Sequence, residues 1–569
     1  MKKFHLTDTY ALVNFDASLC DSEVSVLQSR SFLMVLTQFI EKLRKNSDVV
    51  MEAFKHIKVT QFLDAYKLLY VYSFDEVYHK NPSLHPLLNK RDELYHFTEM
   101  FYDYWRSLQR FGLMASSNLY HQDAKAPDLI TTIDDFNSLI LSLYRNISTT
   151  LLGENFRVYR QLPAGVNANL LYVSHRYNLS SDYANLQYVP FVSKIVTRPP
   201  FIAYTKSNTR SGLFVEIDEN PMSKIAINKL HFFAFPIKIG PLLAFVYIHR
   251  DYLHEGIGLS NLFEFASFDD LNQKKPDIIY VYGLRETEYD CTYHHDKVNN
   301  IYLGFVSRLD KNDYFGYLKK MLLTLHNLYM IDHQRLPIHG AMVSILLHNN
   351  ETKNIVVVGD SGAGKSETLE ALRIIGKDYI KQMRIVFDDM GTFFIKNGQV
   401  FAHGTEIGAF VRLDDLEAGY AYQKIDRAIF LNPDQVNARV VLPVTTYKFI
   451  TSDQKIDMLL YANNYAETDV GLRIYENLDQ AVDIFRNGQR KAKGTTSEVG
   501  LVSSYFANPF GPVQRKEQTE ILLKQYFKVL YRDKVAIGEL YTRLAVSGFE
   551  MKGPQEAAKT LLKHLIAKK

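Results

Sequence analysis

Cysteine is nearly absent, with only Cys20 and Cys291 in 569 residues. Two thiols cannot build a disulfide framework, so a reducing compartment is expected. Neither sign of charge is in excess. Lys and Arg total 66 against 63 Asp and Glu, a formal net charge of +3, which gives no reason to expect a nucleic-acid or membrane-surface binder. Long hydrophobic runs are missing too. The most apolar stretch, 232–248, is interrupted by Pro236, Lys238 and Pro241, and is too short and broken for a membrane span. The basic pair Lys2-Lys3 has no apolar core after it, so the start does not read as a signal peptide. Together these absences lead to the expectation of a soluble, cytoplasmic protein without nucleic-acid or membrane partners. What is present is an ordinary globular balance, 47% hydrophobic and 23% charged, which excludes a disordered, collagen-like or coiled-coil chain. The length exceeds what one core usually supports, roughly 250–300 residues, so more than one domain is expected.

Glycine is scarce in one place only. Of 28 glycines, Gly112 alone precedes Gly153. Glycine costs about 1 kcal/mol per helix position relative to alanine, so its avoidance predicts a helical domain over residues 1–155. Phe32, Val35, Leu36, Phe39, Ile40 and Leu43 follow helical spacing, as do Leu94, Phe97, Met100, Phe101, Tyr104, Trp105 and Leu108. Thr132 with Asp135 reads as a capping box opening a helix. The many tyrosines of this region read as core and helix seam, although a protein partner or self-association through this domain stays open. From about 156 to 300, short apolar runs between Pro, Gly and Asn predict a mixed-sheet lobe: 170–173, 195–197, 201–204, 232–237, 242–248 and 278–281. From 301 to 569, apolar strands alternate with amphipathic helices, and the last sixty residues read as helical. The expected fold class is α/β, or mixed α+β.

The strongest motif is Ile355-Val-Val-Val-Gly359-Asp-Ser-Gly-Ala-Gly364-Lys365-Ser366, a β-branched strand entering a G-x-x-x-x-G-K-[ST] loop ahead of a helical stretch. Such a loop turns backbone N–H groups toward phosphate oxygens, with the helix N-terminus adding its positive end. Gly359, Asp360, Ser361, Gly362, Ala363, Gly364, Lys365, Ser366 and Glu367 would wrap the phosphates of a nucleoside triphosphate. Lys365 offers a cation to the β/γ-phosphates and Ser366 a hydroxyl for Mg²⁺. Downstream, Ile385-Val-Phe-Asp388-Asp389 is an apolar strand ending in two carboxylates, either a metal site or a turn. Two segments lie upstream, Tyr314-Phe-Gly-Tyr-Leu-Lys319-Lys320 and Leu336-Pro-Ile-His339-Gly340, and Asn437-Ala-Arg439 lies beyond. Taken singly, His339 would be a structural histidine and the lysine pair a solvated helix face. His294-His295-Asp296 reads as a surface turn rather than a metal cluster.

In order, these segments resemble phosphoenolpyruvate carboxykinase of the ATP-dependent class, over roughly residues 300–530. That family carries Tyr-Gly-Gly-Glu-x-Lys-Lys-Gly and, about nineteen residues on, Met-His-Cys-Ser. Its phosphate loop is Gly-x-Ser-Gly-Thr-Gly-Lys-Thr, followed by Gly-Asp-Asp-Glu and Asn-Thr-Arg-x-x-Tyr-Pro. Ser361 fits the ATP class. The resemblance implies a carboxykinase-like P-loop domain behind a substrate lobe and an added helical front. It implies ATP, Mg²⁺ and Mn²⁺ as cofactors and oxaloacetate or phosphoenolpyruvate as the small-molecule substrate. Lys320, His339 and Asp389 would hold Mn²⁺, and Ser366 the nucleotide's Mg²⁺. Lys365 and Arg439 would neutralise the transferring phosphoryl group, and Tyr314 and Lys319 would line the substrate pocket. Asn208-Thr-Arg210-Ser211 resembles the family's Gly-Arg-Ser segment, whose arginine grips the substrate carboxylate; a plain surface turn is the alternative.

The sequence departs from that pattern at Gly340 and Ala341 (Cys and Ser in the family) and at Met390 (Glu in the family). Lys493-Gly494-Thr495-Thr496 is only a loose echo of the adenine-side segment. The loop and His339-Gly340 also resemble HPr kinase/phosphorylase, a kinase acting on a protein serine. Glu367 and Gly340 lean that way; Tyr314, Lys320 and Arg439 lean to the carboxykinase. A third expectation is a nucleotide sensor that binds ATP without turning it over.

Overall fold

A computed structural model describes residues 3–16, 20–116, 126–153, 162–174, 177, 179–416, 423–492 and 500–567. The segment Lys493–Thr496 lies outside the described residues. The fold is mixed α/β. It divides into two compact units, Met1–Ser174 with Pro190–Phe201, and His175–Val189 with Ile202–Lys569. Residue 155 therefore falls inside the first unit and residue 300 inside the second.

The first unit is helical but not wholly so. The spaced apolar residues form helices Arg30–Lys45 and Arg91–Ser107, which bury Phe39, Ile40, Phe97 and Trp105 in one core. Strand Phe4–Leu6 runs antiparallel to Tyr10–Asn14. Tyr10–Asn14 and Gln109–Ala115 are parallel, and the latter is parallel to Ala168–Val173. The helical front expected over residues 1–155 thus also contains three strands. Every residue of Tyr10–Asn14 is buried, so it shows no alternation, and a short apolar run of this kind cannot be told from a helix segment by period. The Thr132–Asp135 capping box is corrected as well, because one helix spans Ala126–Leu152 and both residues lie inside it.

The second unit has two main sheets. In one, Phe232–Ile239 pairs antiparallel with Leu242–His249, which is parallel to Ile278–Leu284 and then Ile301–Ser307. Thr292–Asp296 pairs antiparallel beside Ile301–Ser307. His294, His295 and Asp296 thus belong to a strand rather than a surface turn. His295 stacks on Tyr302 with ring centroids 4.0 Å apart, and Asp296 accepts a hydrogen bond from Tyr183.

The other sheet centres on Leu336–Leu347. Thr352–Val358 lies antiparallel on one side, with Ile380–Phe387 and Met390–Lys396 on the other. Thr352–Val358 continues in parallel to Met458–Asn463 and Ala536–Tyr541. Ala536–Tyr541 interrupts the expected C-terminal helical run and leaves helices Lys516–Arg532 and Lys552–Ile566 on either side of it in the chain. One face is covered by Lys365–Ile375 and Lys552–Ile566, the other by Leu478–Asn487 and Lys516–Arg532. A parallel strand buried on both faces reads as a continuous apolar run, as 355–358 does.

Helix Phe315–Asp332 packs against strands of both sheets, so it is buried on nearly all sides. That burial includes His326, 0% exposed, whose Nδ1 lies 3.0 Å from Asn327 Oδ1. Burial lowers its pKa to about 4, against a weaker opposing pull from Asn327. The unfolded chain, near 6.5, therefore takes up a proton before the folded one does. Stability is retained above that value and lost as pH falls toward 4, by about 2 kcal/mol at pH 5. Urea unfolding between pH 7.5 and 5 is expected to show the loss, and His326→Gln to flatten it; equal slopes in the two proteins would refute the assignment. No described helix is long and apolar enough to cross a membrane.

Candidate active site

The loop after Thr352–Val358 is shaped by its glycines and braced from behind. Gly364 has φ +86°, and a Cβ there would lie 2.7 Å from Thr542, so an L side chain would be both strained and obstructed. Thr542 Oγ1 donates to the carbonyl of Ala363 (2.7 Å), and Asn464 Nδ2 donates to that of Gly362 (2.9 Å). Helix Lys365–Ile375 begins at once. Lys365 Nζ donates back to the carbonyls of Gly359 (2.8 Å) and Asp360 (3.0 Å), which holds the ammonium over the loop. Ser361, Ser366 and Glu367 are exposed at its rim.

The central strand brings the remaining motifs to this loop. The His339 carbonyl accepts the Gly359 N–H at 3.1 Å, and the Gly340 N–H donates to the Asp389 carbonyl at 3.0 Å. His339 is thereby tied to the start of the phosphate loop on one side and to the aspartate pair on the other. Gly340 has a packing reason: a Cβ would stand 2.5 Å from the Val357 carbonyl oxygen. Asp388 and Asp389 occupy the bend between Ile380–Phe387 and Met390–Lys396, so the aspartate pair is both a turn and part of the site. Ser366 Oγ donates to Asp388 Oδ1 at 3.3 Å.

Asp389 is the hub. Its Oδ2 lies 2.7 Å from Lys319 Nζ and 2.7 Å from Lys320 Nζ, and its Oδ1 lies 3.0 Å from His339 Nε2. The lysine pair is not a solvated face: Lys319 is 2% exposed, because its helix packs against both sheets. Burial alone would raise the Asp389 pKa, but Lys319 and then Lys320 outweigh it and hold the carboxyl well below its usual range.

The two lysines differ. Burial opposes the charge of Lys319, yet Asp389 and Glu406 (2.9 Å) overcome it and raise its pKa. Burial dominates at Lys320, with Asp389 opposing and Lys319 adding, so its pKa falls. Lys320 is the amine nearer neutrality, as a metal ligand requires. His339 Nδ1 lies 2.6 Å from the Ala507 carbonyl, which can only accept. Nδ1 therefore carries a proton, and Nε2 faces Asp389 Oδ1. The Lys320 amine and the His339 imidazole each lie within 3.0 Å of the Asp389 carboxylate, and an amine, an imidazole and a carboxylate are ligand types that one divalent ion can take.

A second ring of groups surrounds this hub. The Tyr314 hydroxyl interacts with Arg439, whose guanidinium lies 5.4 Å from the Phe410 ring and whose Nε is buried without a hydrogen-bond partner. Arg210 lies 5.2 Å from the Phe510 ring, and Lys320 lies 4.6 Å from the same ring. Asn437 Nδ2 donates to the Asn208 carbonyl at 2.5 Å, which couples the Arg210 loop to the Arg439 segment. Tyr314, Lys319, Lys320, His339, Asp389, Arg439 and Arg210 are thus linked through Phe410, Phe510 and Asp389.

Sequence reasoning missed Glu406, Arg490 and Phe510. Glu406 closes the far side of Lys319. Arg490 Nε pairs with Asp360 Oδ2 at 2.9 Å; burial would raise Asp360, but His339 and Arg490 outweigh it and keep the carboxyl low. Phe510 floors the site beneath Arg210 and Lys320. Gly404-Thr405-Glu406, a carboxylate just past a strand-end glycine, is the only local signal among the three. No protein-family model matches the chain, and no curated protein matches it.

Proposed function

We propose that the chain is an ATP-dependent phosphotransferase of the phosphoenolpyruvate carboxykinase kind, with a carboxykinase-like P-loop domain and Mg²⁺ and Mn²⁺ as cofactors, converting oxaloacetate and ATP into phosphoenolpyruvate, ADP and CO₂. The observation that supports this reading above others is that Lys320 and His339 both meet Asp389, at 2.7 and 3.0 Å, beside the loop that carries Lys365. An ordinary P-loop kinase needs a carboxylate for its metal but has no use for an imidazole and a second amine at that place.

When bound, Mn²⁺ at Lys320, His339 and Asp389, and Mg²⁺ at Ser366 with Asp388, would supply positive charge at the reacting oxygen and at the nucleotide phosphates. The chain's own residues do the rest. Arg210, pinned over Phe510, grips a substrate carboxylate, and Tyr314 with Arg439 orients the carbonyl end. Oxaloacetate loses its terminal carboxylate as CO₂, and the electron pair of the broken C–C bond becomes the C=C bond of an enolate. The enolate oxygen attacks the γ-phosphorus of ATP, and the bond to the β,γ-bridging oxygen breaks with its pair onto ADP. Lys365 and Arg439 face the oxygens that carry charge as this proceeds, the electrostatic task that dominates phosphoryl transfer. Asp360, held by Arg490, is kept from turning its charge on the phosphates.

Incubating the protein with oxaloacetate, ATP, Mn²⁺ and Mg²⁺ is expected to give phosphoenolpyruvate and ADP in equal amounts. ATP binding with no phosphoenolpyruvate would overturn the reading and leave the sensor. ATP consumption that needs a protein acceptor instead of oxaloacetate would favour the HPr-kinase-like alternative.

A further inference from the structure

A second buried cluster lies outside this constellation. Helix Leu253–Leu262 starts one short turn after strand Leu242–His249, which places His254 and Glu255 in its first turn. A Cβ on Gly256 would stand 2.4 Å from the Phe235 ring, and one on Gly258 would stand 2.7 Å from that of Phe315. The helix is therefore pressed inward, and its first turn is buried with it. Asp313, immediately before the helix that carries Lys319 and Lys320, meets this turn. His254 Nε2 lies 2.8 Å from Asp313 Oδ1 and 3.8 Å from Glu255 Oε1. One ligand atom from each of the three side chains lies within 4.8 Å of the other two. His254 is 5%, Glu255 0% and Asp313 4% exposed.

Glu255 is the anomaly. Neither of its carboxyl oxygens has a hydrogen-bond partner. A buried carboxylate without a partner is strongly unfavourable, and a protonated one would leave its O–H unsatisfied. Burial, then the nearby Asp313, push its pKa well above the usual range. An imidazole nitrogen between two carboxylates offers a net charge of about −2 to a divalent ion, in a donor set suited to Zn²⁺, Mn²⁺ or Fe²⁺.

We propose that His254, Glu255 and Asp313 bind one divalent transition-metal ion at a buried site separate from Asp389. The ion has a structural task. Asp313 Oδ2 accepts the Lys206 N–H at 3.0 Å, and the Asp313 carbonyl accepts that of Ser207 at 3.1 Å. An ion on Oδ1 would lock the strand-to-loop segment leading to Arg210 against the start of the helix bearing Lys319 and Lys320. This inference does not depend on the carboxykinase reading.

The test uses the full chain, stripped with a chelator, reloaded with Zn²⁺ and freed of excess ion. Wild type is expected to retain one more equivalent of zinc than Glu255→Gln. That difference holds whether or not the Asp389 site also takes the ion, so failure here is distinct from failure of the proposed reaction. Zn²⁺ is expected to raise the melting temperature of wild type more than that of Glu255→Gln. Its half-saturating concentration at this site should rise at least about 100-fold in the variant. Equal zinc content and equal thermal response in wild type and folded Glu255→Gln would overturn the proposal. If the variant does not fold, an anomalous map of zinc-loaded wild-type crystals decides. A peak between the three side chains supports the site, and its absence overturns it.

Discussion

Asp389→Asn is expected to lower turnover by at least about 10³-fold and to destabilise the second unit by about 3–5 kcal/mol. Two consequences of one charge combine here. Asp389 meets Lys319, Lys320 and His339 together, at 2.7, 2.7 and 3.0 Å. Its removal leaves Lys319 with Glu406 alone and Lys320 with no carboxylate at ion-pair distance among the described residues. Two ammonium groups are then poorly compensated in a buried place, and breaking such a pair costs far more than the intact pair contributes. The variant also lacks the anionic member of the proposed metal-binding set. Thermal unfolding and initial rates, measured side by side, check both effects. Wild-type stability with lost activity would mean that the lysines are solvated, and wild-type activity would remove Asp389 from the chemistry.

Lys365→Ala is expected to separate activity from fold. The side chain donates to the Gly359 and Asp360 carbonyls at 2.8 and 3.0 Å, so truncation forfeits two hydrogen bonds, at about 1–2 kcal/mol. Turnover is expected to fall by about 10³-fold or more, because the ammonium held over the loop is gone at the moment charge shifts to the leaving oxygen. Circular dichroism and melting temperature near those of wild type, with phosphoenolpyruvate formation abolished, is the expected pair of results. If the chain were a sensor, ATP affinity would change in this variant while no product appeared from either protein.

The site was legible to the extent that its chemistry is local in the chain. The phosphate loop, the lysine pair, His339 and the aspartate pair each sit inside a short segment whose spacing carries meaning, and the fold brings all of them together. Glu406, Arg490 and Phe510 were not legible, because each is a single residue on an ordinary strand or loop and gains its role only from a neighbour far away in sequence. The same holds for His254, Glu255 and Asp313, where one partner is fifty-eight or more residues from the others. Taken singly, the lysine pair reads as a solvated face, and only the resemblance places Lys319 in a pocket. Its burial follows from a helix held against two sheets, which no local pattern encodes.

Fold reading failed where burial erased periodicity. Tyr10–Asn14 and Ala536–Tyr541 are buried at all or nearly all positions, and neither shows the alternation that marks a half-buried strand. Strands such as Phe232–Ile239 and Leu242–His249 are equally buried but were bracketed by Pro, Gly and Asn, and those punctuation residues made them readable.

The most direct measurement is an anomalous difference map, at the manganese edge, from crystals of the full chain soaked with Mn²⁺ and a non-hydrolysable ATP analogue. A peak ligated by Lys320 Nζ, His339 Nε2 and an Asp389 oxygen, with the γ-phosphate beside it, is the expected result. A nucleotide seated in the loop, with no manganese among those three groups, would contradict it.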